Sequence, residues 1–273
     1  MSLVINTNVA SLNAQRSLSA SGAELKTAME RLSSGKQINS AADDAAGFAI
    51  AERMTAQIRG LNMAAKNAND GLSMLATIEN ATNDVTDMLH RMRELAVQAV
   101  NDTNSSTDRS YLNNEVQSLI SEINRVSSDT EYNGAAVLNG DLSAAAFQVG
   151  TESGQTITFS VASVDAETLF AGDSVGVDTA ANAEAALSII TTAIETVASN
   201  RATYGALQNR LEYTVSNLLN VAEFTTAARS RIEDADFAAE SARLAKAQVL
   251  QQTGTAMLAQ ANASQQLALS LFR

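Results

Sequence analysis

The fold is decided by one stretch, Ala51–Val100, AERMTAQIRGLNMAAKNANDGLSMLATIENATNDVTDMLHRMRELAVQAV. Apolar residues recur in it at alternating steps of three and four: Ala51, Met54, Ile58, Leu61, Ala65, Ala68, Leu72 and Leu75. That spacing places them on one seam of a helix. At Ile78 the series slips by three residues and continues through Ala81, Val85, Met88, Met92, Leu95 and Ala99. Such a slip tightens a supercoil locally without ending the helix. Read as one helix over 47–100, the segment would extend ~80 Å at ~1.5 Å per residue. That predicts an elongated rod.

Outward from this stretch the pattern repeats. The polar run Asn101–Asp108 reads as a loop. Leu112, Val116, Leu119, Ile123 and Val126 then form a seam suited to an antiparallel partner, and Asn133-Gly134 and Asn139-Gly140 punctuate its exit. Upstream, Leu18, Gly22, Leu25, Met29 and Leu32 step by four and three until Ser33-Ser34-Gly35 breaks the helix. In the middle, Ile157, Phe159 and Val161 alternate with polar residues, as do Phe147 and Val149, with Gly150–Gly154 between: a β-hairpin. After Asn182 the helical spacing returns through Leu187, Ile190, Ile194, Val197, Tyr204, Leu207, Leu211, Val215, Leu218 and Ala222. A last helix covers about 236–271, marked by Leu244, Leu250, Met257, Leu258, Ala261, Leu271 and Phe272. The predicted fold class is mainly α, a long antiparallel coiled-coil-like helical rod with a small β-hairpin region in mid-chain.

Composition removes whole classes of function. The 273 residues include no Cys, no Pro and one His, with 4% aromatic residues. Without thiols there is no disulfide framework, and a single His90 cannot build a His-cluster metal site. A net charge of −12 disfavours a nucleic-acid partner held through phosphates. No apolar run reaches the ~18 residues that span a bilayer, and the first residues lack the pattern of a cleaved signal peptide. Charge is uneven: residues 141–200 hold eight acids and no Lys or Arg, while 1–40 and 236–273 are close to neutral. Mutual repulsion in a compact assembly would place the acidic stretch outside and the termini inside.

No chemical constellation emerges. Asp43-Asp44 follow Asn39-Ser40 and read as helix-start electrostatics. His90 reads as a solvated helix-face residue beside Arg91 and Arg93. Gly150–Gly154 has no following GK[ST] and is no phosphate loop. The N-x-[ST] triplets at Asn80, Asn101, Asn104 and Asn262 are frequent by chance, and Met at heptad positions is core filler. The expectation is a protein that is not an enzyme and uses no cofactor or metal. The end helices instead carry thin seams. One heptad position of the last helix reads Leu244, Gln251, Leu258, Gln265, Phe272, and the small residues Ala247, Gly254, Ala261 and Ala268 recur beside it. Helices with so little to bury are marginal alone and fold on meeting partners. Either they assemble with other subunits, or 1–34 and 236–273 pair within one chain.

Several quoted runs resemble bacterial flagellin. They are Ile5-Asn6-Thr7-Asn8, ERLSSGKQINSAADDAAGFAIAERM (Glu30–Met54), NANDGLSML (Asn67–Leu75), RMRELAVQAVN (Arg91–Asn101) and EINRVSSDTEYNG (Glu122–Gly134). RIEDADFAAESARLAKAQVL (Arg231–Leu250) and the ending Leu271-Phe272-Arg273 complete the set, and FQVGTESGQTITF (Phe147–Phe159) resembles the hairpin that closes the family's rod. The resemblance covers about 1–140 and 186–273.

It implies terminal filament-core helices at 1–43 and 236–273, rod parts at 44–140 and 186–235, and a short β-containing outer segment at 141–185. Core packing then falls to Leu18, Leu25, Met29, Leu32, Leu244, Leu250, Met257, Leu258, Ala261, Leu271 and Phe272. The resemblance further implies a subunit that polymerises with itself into the hollow filament used for motility. It implies secretion by the flagellar type III route without cleavage, and an extracellular location. Implied partners are an export chaperone on the C-terminal helix, filament cap and hook-associated junction proteins, and a vertebrate Toll-like receptor reading Arg91, Leu95 and Glu115. Nucleic acid and membrane insertion are not expected. A low-copy hook–filament junction protein is the alternative, and a secreted effector enzyme is disfavoured by the residue inventory.

Overall fold

A computed structural model describes residues 7–270, with side chains through Ser264. Six helices, α1 (Val9–Ser34), α2 (Ala45–Val100), α3 (Ser106–Asp129), α4 (Ala166–Leu169), α5 (Ala180–Glu233) and α6 (Phe237–Ser270), carry most of the chain. Two small antiparallel hairpins, β1 (Glu131–Tyr132) with β2 (Ala135–Ala136) and β3 (Ala145–Gln148) with β4 (Thr156–Phe159), lie between α3 and α4. The chain divides into two compact units, Met1–Ile58 with Glu223–Arg273, and Arg59–Ala222.

The unit of residues 59–222 holds the large core. Leu75, Ile78, Val85, Leu89, Met92 and Leu95 of α2 are fully buried with Val116 and Ile123 of α3 and Ile190, Val197 and Leu211 of α5. The phase slip at Ile78 lies inside an uninterrupted helix, since no Pro or cap interrupts it. Arg109 Nε donates to Ala99 O at 2.8 Å and Arg91 pairs with Glu115, so α3 runs antiparallel to α2 as the seams predict. Ser105 opens α3 with a capping box: its amide reaches Asp108 Oδ2 at 3.0 Å, and the Asp108 amide reaches Ser105 Oγ at 3.2 Å.

The predicted mid-chain hairpin is present. Ala145 pairs with Phe159 and Phe147 with Ile157, and Phe147 and Phe159 stack with ring centroids 4.7 Å apart. Strand alternation puts Ile157 and Phe159 inward. Phe147 lies over α2 at Gly71, where an added Cβ would meet the ring at 2.9 Å. Asn67 Nδ2 donates to Gln148 O, and Tyr132 Oη to Asp70 O. These contacts explain why NANDG sits mid-helix.

Two features differ from the sequence reading. Asn133-Gly134, with φ of 54° and 79°, turns a two-residue hairpin rather than merely ending a helix. Residues 141–185 are also no loose appendage, for Val161, Val164, Leu169, Phe170, Val175 and Val177 are buried in the main core. α3 holds this segment by its side chains: Asn124 Oδ1 accepts from the Ala166 amide, Asn113 Oδ1 from the Val177 amide, and Gln117 Nε2 donates to Val175 O. Asp141, Glu152, Glu167, Asp173, Asp178 and Glu184 are exposed around that apolar thread, whereas Asp165 is half-buried and accepts a hydrogen bond from the Ser163 hydroxyl.

In the other unit α1 and α6 pair antiparallel, with Asn8 Nδ2 donating to Ala261 O at one end and Arg31 facing Glu240 at the other. Gly35, at φ 73°, ends α1 in the left-handed region and returns its amide to Arg31 O. A short antiparallel link follows, with Gln37 N donating to Glu233 O, Ala235 N to Gly35 O, and Lys36 ion-paired to Glu233. Asp43 and Asp44 serve this corner. Asp43 Oδ2 accepts from the Ser40 and Asn39 amides, and Asp44 Oδ1 accepts from the Ala46 and Gly47 amides, capping α2. The backbone bonds from Ser40 and Asn39 hold the Asp43 carboxyl below the usual range.

Candidate assembly surface

Along α1 the most buried residues are Ser21 and Ala28, and along α6 they are Glu240 and Ala247. At steps of three and four they alternate with half-buried Leu18, Leu25 and Leu32 on α1 and Leu244 and Leu258 on α6, where half-buried Gly254 and Ala261 continue the spacing of seven. A Cβ added at Gly254 would meet Leu18 Cδ1 at 3.4 Å. The seam between α1 and α6 is therefore filled by small residues and by leucines that are only half covered. The residues expected to pack a filament core fall into two sets. Leu18, Leu25, Leu32, Leu244, Leu258 and Ala261 are half-buried in this seam within the chain, beside Ala247 and Gly254 of the small-residue line.

The second set is uncovered. Met29 is 57% exposed, Leu250 42% and Met257 64%. The seam reading did not find Val9, Leu12 and Val249, which are also exposed on these helices. The available signal was an apolar residue off the heptad seam in an Ala-rich helix, where nothing else in the pattern accounts for it. Leu250 and Met257 line a groove with Ala10, Ser17 and Ala20. A second hollow is polar, lined by Glu24, Arg31, Glu240, Arg243 and Lys246. Glu240, nearly buried, lies 3.1 Å from Arg243 and 3.9 Å from Arg31. The expected Leu271 and Phe272 lie outside the described residues.

In the other unit Arg91 Nε bonds Glu115 Oε1 at 2.9 Å and Arg91 Nη1 bonds Glu94 Oε2 at 3.0 Å. Those bonds, Glu115 first, raise the guanidinium pKa above its ordinary value. Arg91 and Glu115 thus form one exposed, charge-paired patch. Leu95, expected with them, is 1% exposed and belongs to the core instead. It lies four residues after Arg91, but its spacing with Met92 and Ala99 turns it inward. His90 is exposed, as the helix-face reading holds. Among the described residues no three His, Asp or Glu side chains cluster as a metal site, and no helix is long and apolar enough to cross a membrane.

The chain matches two family models, the bacterial flagellin N-terminal helical region over residues 5–143 and the C-terminal helical region over 187–272. It is 42% identical to a flagellin of Halalkalibacterium halodurans, covering 99% of this chain and all of that relative. It is 39% identical to a flagellar filament 33 kDa core protein of Treponema phagedenis, at 99% and 100% coverage. Among solved structures it resembles the crystal structure of Bacillus cereus flagellin, with a TM-score of 0.50 and 30% identity over 56% of this chain and 88% of that one. A structure described as a putative flagellar hook-associated protein from Vibrio parahaemolyticus shares the fold, with a TM-score of 0.60 and 15% identity over 70% of this chain and all of that one.

Proposed function

The chain belongs to the bacterial flagellin family, and we propose that it is a structural, non-enzymatic subunit that polymerises into the hollow extracellular filament used for motility. The observation that carries this reading is the uncovered apolar surface of the terminal helices: Leu12, Met29, Val249, Leu250 and Met257 stay exposed after α1 and α6 have paired. Large apolar groups left in water on two long helices mark an interaction face. Many identical copies provide matching faces for one another. On this reading 1–43 and 236–273 line the tube, 44–140 and 186–235 build the rod around it, and 141–185 lies outermost, where solvent screens its acids.

The same reading includes export by the flagellar type III route. A chain with no Cys forms no disulfide that would block threading. It also includes a chaperone that covers the C-terminal helix before assembly, cap and junction proteins at the filament ends, and a Toll-like receptor contact at the Arg91–Glu115 patch. The junction-protein alternative differs in copy number, and counting copies per sheared appendage separates the two.

Assembly is the test. Leu250→Glu with Met257→Glu places carboxylates where neighbours would exclude water, and burying an unpaired charge is prohibitive. The variant should keep the far-UV circular dichroism of the parent monomer and fail to sediment as filaments when seeded. Filaments forming at an unchanged critical concentration would remove this surface from the interface.

A further inference from the structure

The chain has eight methionines and no cysteine, so thioethers are its only sulfur groups. Their exposure varies widely among the described residues, with Met54 and Met88 half-buried. Met92 is fully buried and Met74 nearly so, whereas Met63 is 55% exposed, Met29 57% and Met257 64%. Among the described residues the two most exposed methionines sit one on each terminal helix, and Met257 lines the groove beside Leu250. We propose that Met29 and Met257 are oxidation sites through which peroxide blocks the entry of a free subunit into the polymer. The proposal rests on the assembly surface argued above.

The chemistry needs only a hydroperoxide. A sulfur lone pair attacks one peroxide oxygen, an S–O bond forms and the O–O bond breaks. The departing hydroxide takes up the remaining proton as water. Sulfur loses two electrons and the peroxide gains them. The product sulfoxide is a polar, chiral group in place of a flexible apolar one. At Met92 it would disrupt the core, but burial denies the oxidant access. At Met29 and Met257 it leaves the monomer fold unchanged, because neither side chain supports it. It does alter the face that neighbours must dehydrate, where a buried polar group without a partner is costly. Assembly covers the same sulfurs, so a subunit is vulnerable before it joins and protected afterwards.

The experiment treats full-length monomer and preformed filament with dilute hydrogen peroxide and maps sulfoxide by peptide mass spectrometry. In the monomer Met29, Met63 and Met257 should oxidise at least roughly tenfold faster than Met92, and in the filament Met29 and Met257 should be spared. The critical concentration of oxidised monomer should rise at least about tenfold, equivalent to about 1.4 kcal/mol per subunit. Methionine sulfoxide reductases should reverse the rise. Met29→Leu with Met257→Leu, a volume-conserving pair without the two sulfurs, should show the same critical concentration with and without peroxide treatment, whatever its untreated value, although Met63 still oxidises. Equal oxidation of Met29, Met257 and Met92 would overturn the proposal. So would unimpaired assembly of oxidised parent, or equal peroxide sensitivity of the leucine variant. Failure of the assembly reading is distinguishable, since Leu250→Glu with Met257→Glu would then polymerise without any oxidant.

Discussion

Gly71 and Gly205 both lie inside long helices of the same unit, yet alanine should have opposite effects at the two positions. In an exposed helix interior Gly→Ala gains about 0.8–1.0 kcal/mol from backbone entropy and propensity. At Gly205 no atom lies within 4 Å of the added Cβ, so the whole gain should appear. At Gly71 the Cβ would sit 2.9 Å from Cε2 and Cζ of Phe147 and 3.1 Å from Cδ2. Carbon pairs prefer about 3.5–4.0 Å. The ring cannot yield freely, because it also stacks on Phe159, which is itself buried. Overpacking of this kind costs roughly 1–3 kcal/mol. The net effect at Gly71 is thus a loss of about 0–2 kcal/mol, and the two variants should differ by about 1–3 kcal/mol.

The assay is favourable. There is no Trp, and all four Tyr, at 111, 132, 204 and 213, belong to the unit of residues 59–222. Tyrosine fluorescence therefore follows the unfolding of that unit in the intact chain. Gly205→Ala should raise its denaturant midpoint at unchanged slope, and Gly71→Ala should lower it or leave it unmoved. In a Phe147→Leu background Gly71→Ala should become stabilising, with a coupling of about 1 kcal/mol or more. If Gly71→Ala stabilised the parent as much as Gly205→Ala, the docking of the hairpin on α2 would be wrong.

Ala247→Leu should overpack the α1/α6 seam by roughly 1–3 kcal/mol; hydrogen exchange of those helices should speed up while the tyrosine transition stays put. Asp43 and Asp108 carry depressed pKa values, through backbone bonds at Ser40 and the Ser105 hydroxyl respectively. Their contribution is complete above the unfolded value near 3.9 and is lost as pH falls through the lower folded one. Ser105→Ala removes the hydroxyl bond and should therefore move the acid-unfolding midpoint to higher pH, by circular dichroism, whereas Ser40→Ala keeps the amide that holds Asp43 and should move it little. In the acidic segment Glu167→Gln with Asp173→Asn should leave folding intact and let sheared filaments bundle at lower salt, by light scattering. Asp165→Ala should instead cost stability in the tyrosine transition: burial raises that carboxyl's pKa, but bonds from Ser163 and Thr168 outweigh it and hold the group below the usual range.

The helices were legible because their cause is local. The 3–4 spacing from Ala51 to Ala99, with no Pro to interrupt it, is sufficient to make α2, and Ser33-Ser34-Gly35 to end α1. The hairpin was legible from the alternation around Ile157 and Phe159. What escaped depends on distant partners. Val164, Phe170 and Val177 show no period, because their backbone is held piecemeal, with Val164 N donating to Leu138 O, Phe170 N to Ala166 O and Val177 N to Asn113 Oδ1 of α3, rather than by a ladder. Leu95 was assigned to a surface by resemblance, although its own heptad spacing already placed it in the core. The apolar residues of the terminal helices were visible in composition. Only the pairing of α1 with α6 separates those that satisfy each other from those that do not.

That separation also bears on why the two units are built so differently. Fully burying a large aliphatic side chain contributes about 1.5–3 kcal/mol, and the unit of residues 59–222 buries many. Among the described residues the paired helices bury two alanines, a serine and a glutamate, with the seam leucines half in water. Ordering each residue costs roughly 1–2 kcal/mol of backbone entropy, so long helices need more apolar contact than this seam supplies. A core sufficient for one chain and a surface that awaits others answer different requirements. The first needs large side chains facing inward. The second needs a narrow internal seam that leaves large side chains such as Met29, Leu250 and Met257 free for a neighbour. A wider seam would stabilise the monomer by turning those residues inward, and would remove the surface from which a polymer is built.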